Sequence, residues 1–600
     1  MKTPYKFLFI SALLFLSVQI AQAQTNGYIK IPEGKRFVEI KGVEVDNAGK
    51  YDTTEFRKAH DIIYQTIKKE VDEKLHTLGD GTVYVLKRNH VYISGSVIRF
   101  EDVDIHIKGE EGEGRMPIVL HYKPNNANNG FIFSFQNVIL ENFEFDGTNV
   151  EGDYINRGID FNGTNARIIV KGCRFTCDRG GALAIGATSS GACPGLKLYV
   201  YDCIFGNGGH YMSGGGNGRA LDIRSGADFP IDTVVFKNNT IYNMTDRAIR
   251  CYNSITNYME IDHNTIINNQ GRHGSIQGQN TKELIVTNNV FANPVVHGDR
   301  LYTTLQTGEQ GQQLDNAHPD KHFAIVTHNG TVGLLNDGEI KRTVMRNNNI
   351  FFEQEFIDLF KKFPTVFSAG YTINGAFYPV RPASDAVFTY LDGDPTKVSF
   401  VERLPFDYND FPAGNTGTVS SYKDLLLVAE EVGEYFAAGN TGDAPAILPQ
   451  NWSLLYPYEW NAVYPTTSIS YTAADGGYPL GDLNWFPQDK AKWLTNPTAK
   501  SAMKSAEIPA GIEIARAYPN PFLSEAAIDY TLLNDQFVEI SIYNYIGQKV
   551  KTIKGGNMKQ GTYQVTWDGK DNNGNTQPVG VYQFVIKGTT GQASTKLLKN

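Results

Sequence analysis

The chain has no strong charge of either sign: 55 Lys and Arg stand against 64 Asp and Glu, a net of −9 over 600 residues. That mild balance, with no basic run, argues against a nucleic-acid partner and against an anionic membrane surface. Long apolar runs are missing after the first two dozen residues, so no later segment reads as a membrane span. Cysteine is scarce. Cys173, Cys177, Cys193, Cys203 and Cys251 form no CxxC pair and no Cys/His spacing suited to zinc. An oxidising compartment permits disulfides, the odd count leaves at least one thiol over, and Cys251 reads as a small buried hydrophobe.

What is present points to export and to β-structure. Lys2 and Lys6 precede the apolar run "FLFISALLFLSV" and then "AQAQ". This is a charged start, a short hydrophobic stretch and an A-x-A cleavage site ending at Ala23, so residues 1–23 read as a signal peptide. The expected mature protein begins at Gln24, is exported and carries no transmembrane span. The 59 Gly, many Asn and Thr, and 12% aromatics favour strands and turns over helices.

A phrase then repeats: "VILENFEF" (138–145), "IIVKGCRF" (168–175), "LYVYDCIF" (198–205), "VVFKNNTI" (234–241), "MEIDHNTI" (259–266), "LIVTNNVF" (284–291) and "TVMRNNNI" (343–350). One column reads Phe143, Cys173, Cys203, Asn239, Asn264, Asn289, Asn348. Such periods mean a solenoid of stacked units. Apolar alternation with β-branched and aromatic residues, and a second short strand per unit ("RGIDF" at 157, "GALAI" at 181, "RALDI" at 219, "RAIRC" at 247), make it a parallel β-helix. Inward Asn side chains in one column are expected to bond to the coils above and below, which makes them scaffold. At the amino end a capping box, Asp52 to Glu55, precedes a helix with Phe56, Ile63, Ile67, Val71 and Leu75 on one face. That helix would cover the open end, with "GDGTVYVL", "HVYISGSVIRF" and "VDIHIKGE" as the first coils.

The order from helix through "GDGTVYVL" to Asn-rich coils resembles the right-handed pectin-lyase-like β-helix superfamily over roughly residues 50–355. That superfamily holds lyases, glycosidases, epimerases and non-catalytic adhesins, so it speaks for fold more than chemistry. The β-helix domain is assigned to 24–360 and a loop-rich region to 361–505. Residues 514–600 alternate cleanly between Gly- and Asn-rich turns and predict an antiparallel β-sandwich. "AYPNPF", "NYIGQKV", "GTYQVTWDGKDNNG", "GVYQF" and the terminal Lys596 and Lys599 resemble the type A C-terminal sorting domain of the type IX secretion system of Bacteroidota. The resemblance implies a secreted or outer-membrane-surface protein that engages the type IX machinery. "DGKDNNG" itself reads as a tight turn, since it lacks the twelfth-position carboxylate of an EF-hand.

Candidate chemistry lies on the second strand family. Its outward residues form a ladder of Asp160, Ala184, Asp222, Arg250 and, with one residue of slip, Gln277, beside Arg224, Tyr252 and Gln279. An exposed groove of this kind suits an extended acidic polysaccharide. Cleavage by β-elimination needs the uronate carboxylate offset and a base for the adjacent C5 proton. Arg250, Tyr252 and Arg224 are the catalytic candidates, Asp222, Gln277 and His273 the substrate-binding ones, and Asp160 with Asp222 a calcium pair. No other cofactor is indicated. The bland alternative is a salt-bridged surface ladder. The chain lacks the "NTD", "DD" and "GHG" motifs of polygalacturonase-like β-helices and the acidic calcium cluster of pectate lyases. Two functions therefore stand: a lyase of an acidic glycan, or a non-catalytic glycan-binding surface protein or adhesin, a monomer in either case.

Overall fold

The computed structural model describes residues 28–599 apart from 46–60, 95–97, 101–102, 122–131, 135, 148–157, 177–179, 187–192, 209–217, 227, 252–253, 272–273, 279, 300–323, 329–341, 407–421, 440–460, 496–511, 519–521, 533–534, 545–548 and 589–591. The chain divides into two compact units, Met1–Ser501 and Ala502–Asn600.

In the first unit each repeat phrase folds into two short strands joined by a tight turn, as in Ile231–Lys237 and Thr240–Tyr242. Strands of one kind stack coil upon coil, giving sheets of ten, eleven and seven strands. The pairing is parallel except where Val43–Glu44 meets His90–Ser94. The result is a parallel β-helix. Its register follows the sequence phrases, with Val138, Ile168, Leu198, Val234, Met259, Leu284 and Thr343 in one column. Alternation sends the apolar half of each strand inward, where Phe145, Phe175 and Phe205 lie one above another, the last two stacked at 5.0 Å.

The asparagine column is a ladder. Asn239 Nδ2 donates to Asn264 Oδ1 at 2.9 Å, Asn264 Nδ2 to Asn289 Oδ1 at 3.1 Å, and Asn289 Nδ2 to Asn348 Oδ1 at 3.0 Å. Each acceptor oxygen also takes the backbone N–H of the coil before, starting with Cys203 N on Asn239 Oδ1 at 2.9 Å. The residue just before the ladder makes the corner: Asn142, Gly172, Asp202, Asn238, His263, Asn288 and Asn347 all have φ between 52° and 64°. Asn and Asp tolerate this left-handed backbone better than other residues with side chains, and Gly freely. A further left-handed column, Asn207, Asn243, Asn268 and Asn293, closes the second-sheet strands. Its side chains pair too, Asn243 on Asn207 at 3.1 Å and Asn293 on Asn268 at 2.9 Å.

The amino-terminal helix runs Ile62–Asp72, with Ile63 and Ile67 buried in the solenoid core. Its expected capping box and Phe56 lie outside the described residues. Leu75, expected on the buried face, is 52% exposed, because the helix stops at Asp72 and Lys74 turns with φ 58°. The solenoid also starts earlier than the sequence suggested: Arg36–Ile40 pairs in parallel with Thr82–Leu86.

Past residue 360 the sheets continue. Arg381–Ala383 joins the seven-stranded sheet and Ser399–Phe400 the eleven-stranded one. Leu404, Tyr464, Leu480, Leu483, Phe486 and Trp493 then pack on the outer face of the eleven-stranded sheet, against Tyr242, Ile267, Val290, Ala292 and Phe351. Hydrogen bonds fix that docking, among them Gly481 N to Asn288 O at 2.9 Å and Trp485 Nε1 to Thr240 Oγ1 at 2.8 Å. Asp482, pushed up to about 7 by burial, receives the Thr240 hydroxyl at 2.8 Å. Tyr28, from the start of the described chain, stacks on Tyr201 at 4.2 Å and donates to Asp202 at 2.6 Å.

The second unit is an antiparallel β-sandwich of three and four strands around Trp567, Phe522, Tyr530, Ile540 and Phe584. In its "DGKDNNG" segment Asp571 Oδ1 accepts from Asn573 N at 2.8 Å and Asn575 N at 2.9 Å, which makes the segment a tight turn.

Candidate functional site

The third sheet carries the ladder. Asp160, Ala184, Asp222, Arg250, Gln277 and Thr327 stand in one column, and Gln277 needs no slip to pair with Arg250. Leu221, Ile223, Ile249, Cys251 and Ile276, their strand neighbours, belong to the core, so the column faces outward by alternation. Outward here does not mean exposed. Asp222 is 2% accessible, Arg250 8% and Gln277 2%, which corrects the expected open groove. Whether a coil face is covered depends on distant chain, and strand alternation carries no record of that.

Asp222 is the centre of the arrangement. Arg250 donates to it through Nε at 2.8 Å and Nη2 at 2.9 Å, a bidentate pair across adjacent coils. Arg224 Nε reaches Oδ2 at 3.0 Å, and Arg219 Nη1 lies 3.5 Å from the same oxygen. Arg219 also pairs with the buried Asp246, which Arg247 approaches at 3.4 Å. Among the described residues, four guanidinium groups thus stand about two carboxylates, Asp222 and Asp246. The side chain of Arg224 is 36% exposed, whereas those of Arg219, Arg247 and Arg250 are at most 10%. Arg224 is the accessible edge of a buried cationic cluster.

Burial by itself pushes the Asp222 carboxyl up, but the charges of Arg250, Arg219 and Arg224 outweigh it and hold the group well below the usual carboxylate range. A carboxylate depressed in the folded state contributes stability above its unfolded value, about 3.9, and loses it as pH falls through the lower folded value. Urea midpoints followed from about pH 5 to about pH 2 should therefore fall in the wild type and fall less steeply in Asp222→Asn.

Several sequence expectations change here. Arg250, read as a catalytic base or free neutraliser, has its guanidinium committed to Asp222. Asp160 and Asp222 are separated by the Ala184 strand, about 9.6 Å in two strand spacings. One calcium ion, whose oxygens ligate at about 2.3–2.6 Å, does not bridge that gap. Among the described residues no group of three or more His, Cys, Asp or Glu is placed to hold a metal. Tyr252, His273 and Gln279 lie outside the described residues. The sequence reading missed Arg219 and Arg247. Their signal was present, because each opens its strand phrase, "RALDI" and "RAIRC". Cys173, Cys193, Cys203 and Cys251 are buried free thiols, and burial raises Cys251 to about 12.

Residues 524–592, within the second unit, match the FlgD Ig-like domain family. No curated protein matches the chain. Among solved structures, dimeric latent PorU from Porphyromonas gingivalis is similar at 18% identity and a TM-score of 0.13, over 15% of this chain and 9% of that one. PorZ, described as an essential bacterial surface component of the type-IX secretion system of the same organism, is similar at 17% identity and a TM-score of 0.12, over 17% and 13%. The chain thus spans about a tenth of the length of those two structures. No helix among the described residues is long and apolar enough to cross a membrane. The chain is a parallel β-helix followed by an Ig-like β-sandwich.

Proposed function

We propose that this is a secreted or cell-surface protein whose β-helix binds an acidic polysaccharide, and whose C-terminal sandwich serves as a type IX sorting domain. The observation that supports the binding site is the grouping, among the described residues, of four guanidinium groups about Asp222 and Asp246, with Arg224 at its accessible edge. Arg250 and Arg219 hold Asp222 and fix the cluster, and Arg224 meets the uronate carboxylate. A guanidinium held in this way is pre-organised for a planar anion, and little freedom is lost on binding. The sorting role is supported by the sequence resemblance of residues 514–600 and by their Ig-like fold.

The second reading is β-elimination at the same place. The grouped guanidinium groups favour it, since the step needs the carboxylate beside C5 neutralised. Arg250 does not serve as the base, because its protons are engaged with Asp222 and a guanidinium holds them above about pH 12. Tyr252, two residues further along the sequence, is the remaining candidate for that role.

Full-length secreted protein should be tested on pectin, alginate and glycosaminoglycans by affinity electrophoresis, with ultraviolet absorbance of the unsaturated uronate followed in parallel. Retardation without new absorbance supports binding, and new absorbance supports elimination. Free migration on every acidic glycan, with no absorbance, removes the proposal.

A further inference from the structure

We propose that Lys237 and Asp262 condense to an isopeptide bond between neighbouring coils, with Glu260 carrying the protons. The bond lies on the ten-stranded sheet and is independent of the glycan-binding reading.

Lys237 and Asp262 are direct partners across adjacent parallel strands, Ile231–Lys237 and Thr256–Asp262. Both face away from the core by alternation, because Phe236 and Ile261 beside them belong to it. Yet both side chains are 0% accessible, and that of Glu260 is 1%. Three charged groups thus meet out of water. Lys237 Nζ is 2.8 Å from Glu260 Oε1 and 4.0 Å from Asp262 Oδ2. Tyr258 donates its hydroxyl to Glu260 Oε2 at 3.0 Å. Buried ions are costly, and an amide in place of the Lys237–Asp262 pair removes one charge of each sign.

The two oxygens of Asp262 are held differently. Oδ1 accepts from the Thr287 hydroxyl and the Asn288 amide, each at 2.9 Å, and His263 Nδ1 lies 3.1 Å away. Such donors suit the oxyanion that forms when an amine adds to Cγ. Oδ2, on the lysine side, has no hydrogen-bond partner among the described residues and is the oxygen that leaves. Burial raises the Asp262 carboxyl, but His263 and Lys237 outweigh it and hold the group below the usual range. The reaction therefore starts from a carboxylate. Glu260 takes one proton from the Lys237 ammonium and passes it to Oδ2. The amine attacks Cγ, the Nζ–Cγ bond forms, a second proton follows the same route, and the Cγ–Oδ2 bond breaks. Oδ2 departs as water with both protons, one hydrogen stays on the amide nitrogen, and Glu260 ends as it began. No oxidant or other reactant is needed. Exclusion of bulk water then protects the amide from hydrolysis.

The test is peptide mapping of the mature secreted chain by mass spectrometry, after denaturation and trypsin digestion. A branched peptide joining Lys237 to Asp262 is expected, lighter than its parts by one water, about 18 Da, and uncut after Lys237. Glu260→Gln should give separate peptides of full mass while still melting cooperatively. Asp262→Asn should stay linked, with loss of ammonia, about 17 Da, in place of water. Separate peptides of full mass in wild type overturn the inference, whichever variants fold. Fragment ions that place the bond on Glu260 also overturn it, as does a bond that persists in Glu260→Gln.

Discussion

Replacing Arg250 by alanine should lower the unfolding free energy of the solenoid by about 3 kcal/mol. The substitution removes a bidentate guanidinium from Asp222, a carboxylate that is 2% accessible. Breaking a buried pair costs about 3 to 5 kcal/mol, because the remaining charge stays desolvated. The lower end applies here, since Arg224 and Arg219 remain at 3.0 and 3.5 Å. Sequence alone placed Arg250 on an exposed face, where loss of its side chain would leave the melting temperature nearly unchanged. Urea unfolding of wild type and Arg250→Ala decides between the two. A difference under about 1 kcal/mol, the range of surface ion pairs, means that the pair is not buried in solution.

Asn264→Leu should cost about 2 to 4 kcal/mol. Asn264 Oδ1 accepts both the backbone N–H of Asn239 at 3.0 Å and its amide at 2.9 Å. Its own amide donates to Phe236 O at 3.0 Å, Asp262 O at 3.2 Å and Asn289 Oδ1 at 3.1 Å. Leucine of similar size keeps the packing and removes all five bonds. The Asn239 amide can still reach Val200 O at 3.2 Å, but the Asn239 N–H, fully buried, loses its acceptor. Thermal melting and urea unfolding should both register the loss. Wild-type stability in this variant would mean that the column faces water.

The ladder was legible because side-chain type and spacing are enough to define it. Asn at the same place in successive phrases, among apolar residues that alternate, has few other uses inside a solenoid. The corner column at Asn238, His263, Asn288 and Asn347 was less legible, since backbone handedness leaves only a weak mark on residue choice. The register of Asp222 and Arg250 could be read from the strand phrases, whereas Gln277 was read one residue out of step with a pairing that is direct. The burial of that ladder could not, because periodicity within a strand says nothing about cover from elsewhere.

Residues beyond 360 show the same limit. Trp493 packs 5.3 Å from the His263 ring, and Lys490 pairs with Asp202 at 2.6 Å. These contacts join residues more than two hundred positions apart, and neither sequence has a period to betray the other. The arginines at 219 and 247 were a different kind of miss. They recur at the head of matching phrases, outside the alternating stretch that marks each strand.

The central claim is that a buried cationic cluster with one accessible arginine binds an acidic glycan. The direct measurement is the affinity of wild type and Arg224→Ala for one acidic oligosaccharide, at fixed ionic strength, beside the melting temperature of each. Arg224 donates to Asp222 from a partly exposed position, and Arg250 and Arg219 remain to neutralise that carboxylate. The account predicts an affinity loss of about tenfold or more, the size of a lost charge-assisted contact, with melting almost unmoved. An unchanged affinity in Arg224→Ala contradicts it.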